Sequence, residues 1–170
     1  LIRETPESRV VNVSSMAHKR GEMGFDNFLF EDGKDYSPIK AYGRSKLANL
    51  LFTYELQRFF DANNIDSISV AAHPGVSKTN LARHLEDKLY FKILYPLFIL
   101  MTQNAAKGAL PQIRASVEPK VKGGEYYGPS GFNEMKGNPV KVESNAASHN
   151  LEDAKKLWEL SEKLTGVSFK

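Results

Sequence analysis

Two short runs of this chain are apolar on both sides of a period-two pattern: residues 9–13 (RVVNV, with Asn12 the exception) and residues 67–72 (SISVAA). A strand wetted on one side alternates apolar with polar residues, whereas a strand covered on both sides does not. Strands of the second kind belong to parallel sheets carrying helices on each face. A long helical pattern lies between the two runs, and further helical patterns follow, so the order of elements points to an α/β fold. At 170 residues the chain is long enough for one domain with a core of its own. Its 41% hydrophobic and 25% charged residues sit near the globular average, which excludes disordered and collagen-like readings. Cysteine is absent, which excludes a disulfide frame, a thiolate zinc site and a cysteine nucleophile, and fits a reducing, cytoplasmic location. No metal is expected. The net charge of +3 is spread without a Lys/Arg block, so no nucleic-acid partner is expected.

The long helix starts at Ser37-Pro38, where serine can cap and proline is tolerated in the first turn. It runs to about Ala62 and stops at Asn63-Asn64. One apolar stripe holds Ala41, Ala48, Phe52, Leu56 and Phe59, and a second holds Leu47, Leu50, Leu51 and Tyr54. Two such faces predict burial against a sheet and against another helix or subunit. Residues 16–36 read as a long loop. A third strand is expected at 124–127 (GEYY), with helices over about 102–116 and 151–164. Three strands make a poor parallel sheet by themselves. The run at 9–13 would leave an open apolar edge, and something upstream of Leu1 or on a partner chain is expected to pair with it.

Tyr42 and Lys46 stand four apart on the long helix and therefore share a face. A tyrosine is a poor base at neutral pH, but a nearby ammonium favours its phenolate. Such a pair can exchange a proton with an alcohol or carbonyl oxygen. A hydroxyl at a strand end, such as Ser15, can hold that oxygen. The spacing alone is weak evidence, because Tyr36 and Lys40 share it at the helix start. Each flanking residue also has a plain structural reading. Ser15 could cap a strand end, Pro74-Gly75 could form an ordinary turn, and Thr79 could cap the next helix.

The order of the blocks says more than any one of them. A strand ending NVSS at Ser15 precedes AYGRSKLAN at 41–49, and a second strand ending HPGVSKT at 73–79 follows. In this the chain resembles the short-chain dehydrogenase/reductase family. The retinol dehydrogenase-like branch is the nearer likeness, through the insert between Ser15 and Tyr42, SKLANLLF from Ser45, HPGV from His73, YYGP from Tyr126 and LWELSEKLTG from Leu157. The resemblance implies an NAD(P)-dependent oxidoreductase acting between an alcohol and a carbonyl, with NADP slightly favoured over NAD. It assigns Ser15 to the substrate oxygen, Tyr42 to acid/base chemistry, and Lys46 to the nicotinamide ribose and the tuning of Tyr42. Pro74, Gly75, Val76 and Ser77 match the turn beside the nicotinamide, and Thr79 matches a threonine near the carboxamide or phosphates. His73 is expected to be structural.

The family's Gly-rich phosphate turn is absent here. The resemblance therefore implies the C-terminal half of a doubly wound, Rossmann-like domain, with residues 1–170 as its catalytic portion. The apolar run at 90–101 falls in the family's lid region, where Leu94, Leu97, Phe98 and Met101 are candidates to line a pocket for a small apolar substrate. Packing on the protein's own core, or contact with a membrane surface, are alternatives for this run. The family often dimerises through its tyrosine helix, so a homodimer is expected. Two other functions compete: a non-catalytic or regulatory protein that kept the fold, and a light-dependent reductase of a chlorophyll precursor. The lack of cysteine weighs against the second.

Overall fold

The computed structural model describes residues 1–77 and 102–168. Among them a four-stranded sheet runs in the order β1 (Ser8–Val13), β2 (Ser67–Ala72), β3 (Tyr126–Pro129), β4 (Pro139–Lys141). The first three strands are parallel, and β4 returns antiparallel to β3. β1 pairs with β2 in register from Ser8 opposite Ser67 to Val13 opposite Ala72. Three helices cover this sheet: α1 (Pro38–Ala62), α2 (Ala105–Val117) and α3 (Leu151–Thr165).

The burial of β2 follows from its sequence. Alternate residues point to opposite faces, and both faces are covered. Ala71 packs with Leu50 and Tyr54 of α1 and with Tyr126. Val70 and Ala72 pack with Ala115 of α2, Val121 and Tyr127. Leu47 and Leu51 of α1 meet Met23, Ala154 and Leu157, which ties in α3. Each fully buried leucine here stabilises the fold by roughly 1.5–3 kcal/mol. Arg9 also bridges layers: its Nη1 donates to the carbonyls of Ala115 and Glu118 at the end of α2, where cations are favoured.

Helix α1 begins where expected, with Ser37 accepting from the Lys40 N–H at 3.2 Å. Both its apolar faces find partners inside the chain. The stripe containing Phe52 and Phe59 stacks on Trp158 of α3, with ring centroids 5.6 and 5.8 Å apart. Of the two covers expected for this face, another helix or a subunit, the structure supplies the helix, α3.

Three expectations need adjustment. β3 starts two residues later than expected and runs through Gly128-Pro129, because Gly124 sits in a turn at φ +76° whose N–H bonds to the Ser69 carbonyl. β4 was not expected at all. It has three residues, begins with proline and forms by pairing with β3 at the sheet edge, where proline is tolerated. α2 is capped by Asn104, which accepts from Lys107, so residues 102–103 precede it and Gln103 bridges to Ser77. The loop at 16–36 contains two short 3-10 turns, Met16–Arg20 and Phe25–Asn27.

Candidate active site

The C-terminal ends of β1 and β2 lie side by side, with Ser14 N–H donating to the Ala72 carbonyl at 2.8 Å. In open α/β sheets this edge is where ligands bind. Three of the sequence-derived residues converge at the β1 end. Tyr42 and Lys46 lie one turn apart on α1, with Lys46 Nζ 5.5 Å from the Tyr42 ring centroid. The same ammonium donates to the Val13 carbonyl at 3.3 Å, two residues before Ser15. Tyr42 is 38% exposed. Ser15 has extended backbone and caps the turn Met16–Arg20, its Oγ accepting from the Ala17 N–H at 3.2 Å. That bond occupies a lone pair and leaves the hydroxyl proton able to donate elsewhere.

What presses this strand end against α1 is local. Ser14, 1% exposed, donates from Oγ to the Lys46 carbonyl at 2.9 Å. Asn49 Nδ2 donates to the Val13 carbonyl at 2.8 Å, beside Lys46. Gly21 and Gly43 supply the close approach. A Cβ on Gly21 would stand 2.5 Å from the Gly43 carbonyl oxygen and 2.8 Å from Leu47 Cβ, so a side chain there would push the Ser15 turn off the helix. Arg44 pins the rest of the insert. Its Nη1 donates to the Asn27 and Phe28 carbonyls at 2.7 and 2.8 Å and its Nε to the Glu22 carbonyl, while the guanidinium lies 4.0 Å over the Phe30 ring.

The β2 end is held from far along the chain. Gly75 has φ +66°, and a Cβ there would stand 2.4 Å from the Met135 carbonyl oxygen. That carbonyl accepts from Val76 N–H at 2.7 Å. Gln103 donates its main-chain N–H to the Val76 carbonyl and its Nε2 to the Pro74 carbonyl, while its Oε1 accepts from Gly137 N–H. Ser77 Oγ reaches the Pro74 carbonyl at 3.4 Å. The turn is thus tied down by bonds within the chain itself. Among the described residues no such bond holds the Gly75 carbonyl or the main chain of Ser77.

His73 is fully buried, as a structural residue should be. Its Nδ1 accepts from Gly75 N–H and its Nε2 donates to Glu134 Oε2 at 2.9 Å. Burial pushes its pKa down to about 4, against the pull of Glu134. Glu134 also pairs with Lys19 at 3.0 Å, linking the two strand ends. Asn133 and Glu134 both take left-handed backbone, at φ 47° and 57°, which L residues adopt at a cost. Behind them Tyr126 packs against His73, and burial raises its pKa well above the usual value.

Sequence reasoning missed Gln103, Glu134, Arg44 and Asn49. Only Asn49 had a readable signal, its place on the Lys46 side of α1. Thr79, Leu94, Leu97, Phe98 and Met101 lie outside the described residues.

No protein-family model matches the chain. Curated relatives do. Human retinol dehydrogenase 14 is 35% identical over 98% of this chain and 47% of its own length. Human polyprenol dehydrogenase is 33% identical over 94% of this chain and 46% of its own. The chloroplastic short-chain dehydrogenase TIC 32 B of Brassica napus is 35% identical over 93% of this chain and 47% of its own. The chain thus spans about half the length of the curated relatives it matches. A solved structure of an uncharacterized protein from Mycobacterium paratuberculosis superposes with a TM-score of 0.74 at 35% identity, covering 96% of this chain and 52% of that one. The sheet order, the helices on both faces and these likenesses agree on half of a Rossmann-like fold. With the strand-end serine, the Tyr-x-x-x-Lys helix and the Pro-Gly turn assembled on that frame, the chain belongs to the retinol dehydrogenase-like branch of the short-chain dehydrogenase/reductase family.

Proposed function

We propose that the protein is an NAD(P)-dependent oxidoreductase that interconverts an alcohol and a carbonyl on a small apolar substrate. One observation carries the reading: the Lys46 ammonium sits between the Tyr42 ring and the strand end that bears Ser15. The residues present suit a nicotinamide nucleotide. Lys46 has one hydrogen-bond acceptor among the described residues, the Val13 carbonyl, so its remaining protons can reach ribose hydroxyls. The turn Pro74, Gly75, Val76, Ser77 is preset by Gln103 and Met135, and Ser77 offers main-chain groups to a carboxamide. When bound, the nicotinamide supplies a hydride for reduction and takes one up in oxidation.

The protein's own part is proton transfer and orientation. In reduction Tyr42 Oη gives its proton to the substrate oxygen, and in oxidation it takes that proton back. Ser15 donates its hydroxyl proton to the same oxygen and holds the carbonyl in place. Lys46 favours the phenolate of Tyr42 by its positive charge. The apolar character of the substrate rests on the names of the relatives and on Leu94, Leu97, Phe98 and Met101 as pocket candidates. A cytoplasmic location goes with the cysteine-free composition. A homodimer belongs to the same proposal and rests on the family resemblance. Sedimentation as a monomer at micromolar concentration would remove it.

The test is turnover by the whole encoded polypeptide, followed as loss of NADPH or NADH absorbance with a series of apolar aldehydes. The proposal expects at least one aldehyde to be reduced. Tight dinucleotide binding with no turnover across the series would favour a regulatory protein instead.

A further inference from the structure

We propose that His18 is the positioning residue of Ser15, its ring Nδ1 setting the orientation of the Ser15 hydroxyl through the Ser15 carbonyl. The inference rests on the role proposed for Ser15 above.

The Ser15 carbonyl accepts two bonds from the same residue: the His18 main-chain N–H at 3.0 Å and the His18 ring Nδ1 at 2.6 Å. Both lone pairs of that oxygen are therefore engaged, which fixes the plane of the peptide leaving Ser15. The Ser15 hydroxyl accepts from Ala17 within the same turn. With carbonyl and hydroxyl both held, the direction of the remaining O–H proton is narrowed toward the side that faces a ligand.

The other ring nitrogen faces a different part of the protein. Nε2 accepts from Asn145 N–H at 3.3 Å, and Asn145 Nδ2 approaches the His18 carbonyl at 3.4 Å, across a sequence separation of 127 residues. Asn145 opens the turn Ala146–His149, which leads directly into α3. A donor on one side and an acceptor on the other leave His18 one tautomer, neutral with the proton on Nδ1. The ring is fully buried, edge-on to Tyr126 at 5.7 Å, so water does not substitute for either bond. Burial also lowers the pKa of His18, which keeps that tautomer at neutral pH. A simple turn cap would need the Ser15 bond alone. The second bond holds the ring in the tautomer that donates to Ser15.

Two substitutions separate the two halves of the clasp. In His18→Asn the carboxamide N–H lies near the place of Nδ1 and keeps a donor for Ser15. In His18→Gln the carboxamide oxygen lies near the place of Nε2 and keeps an acceptor for Asn145. In the whole encoded polypeptide, kcat of His18→Gln is expected to fall at least about tenfold, while His18→Asn stays within about threefold of the parent. KM for the nucleotide should be unchanged in both, since the 74–77 turn is held by other residues. Equal losses in both variants would mean a merely structural histidine and overturn the proposal. Ser15→Ala, run beside them, tells the two levels apart. If it turns over like the parent, the reading of Ser15 fails and this inference falls with it. Should His18→Gln not fold, ¹⁵N spectra of the labelled parent decide. A protonated Nδ1 and bare Nε2 on His18 at pH 7 support the clasp, and the opposite tautomer overturns it.

Discussion

The ends of β1 and β2 lie next to each other in the same sheet, yet they are held in different ways. At the β1 end most restraints come from the neighbouring helix: Ser14 to the Lys46 carbonyl, Lys46 and Asn49 together on the Val13 carbonyl, and Gly21 against Gly43. At the β2 end the restraints come from Gln103, Glu134 and Met135, tens of residues away, and include backbone in a costly conformation. The first arrangement is redundant, because two donors share one carbonyl. The second is a single interlocked turn in which each bond depends on the others. The β2 end should therefore be the brittle one, and the β1 end the tolerant one.

That contrast can be broken at several points. The largest effect is expected from Gly75→Ala, which combines a left-handed φ with a 2.4 Å approach to the Met135 carbonyl oxygen. It should cost about 3 kcal/mol in urea unfolding. Stability should also fall with pH because of His73. Its folded pKa of about 4 lies below the ordinary histidine value of 6.5, so the unfolded chain binds the proton first. The loss begins as pH drops through about 6.5 and levels off near pH 4, reaching up to about 3 kcal/mol. Unfolding curves at pH 7.5 and 4.5 measure it. A curve flat across that window would show that His73 is not held neutral. Gln103→Leu should cost about 2 kcal/mol, because it strands the Gly137 N–H and leaves the Pro74 carbonyl only the 3.4 Å contact from Ser77 Oγ. Asn49→Ala should cost no more than about 1 kcal/mol, because Lys46 still serves the Val13 carbonyl. If Asn49→Ala proved costlier than Gln103→Leu, the contrast would be reversed.

The same contrast explains which parts were legible in the sequence. Helix α1 and the Tyr42–Lys46 pair depend on spacing within one element, and four residues on a helix always bring two side chains to one face. β2 was legible because both-face burial leaves its mark on consecutive residues; β1 carries the same apolar pattern but is only half-buried at the sheet edge, with Val13 43% exposed. β4 was not, since its three residues have no periodicity of their own and exist through pairing with β3. Pro129 lies beyond the expected 124–127 strand yet sits in β3 opposite Pro139. At the site, His18, Gln103 and Glu134 act across long separations, and nothing near them in sequence marks their partners. The insert looked like a plain loop because the residue that organises it, Arg44, lies on the next helix.

The central claim is that Tyr42 moves the proton on a frame held by Ser15 and Lys46. The most direct measurement compares the Tyr42→Phe variant of the whole encoded polypeptide with its parent, for turnover and for dinucleotide affinity. The account predicts a loss of kcat of about 10³-fold with affinity for the nucleotide essentially unchanged. Turnover by Tyr42→Phe at the rate of the parent would contradict it.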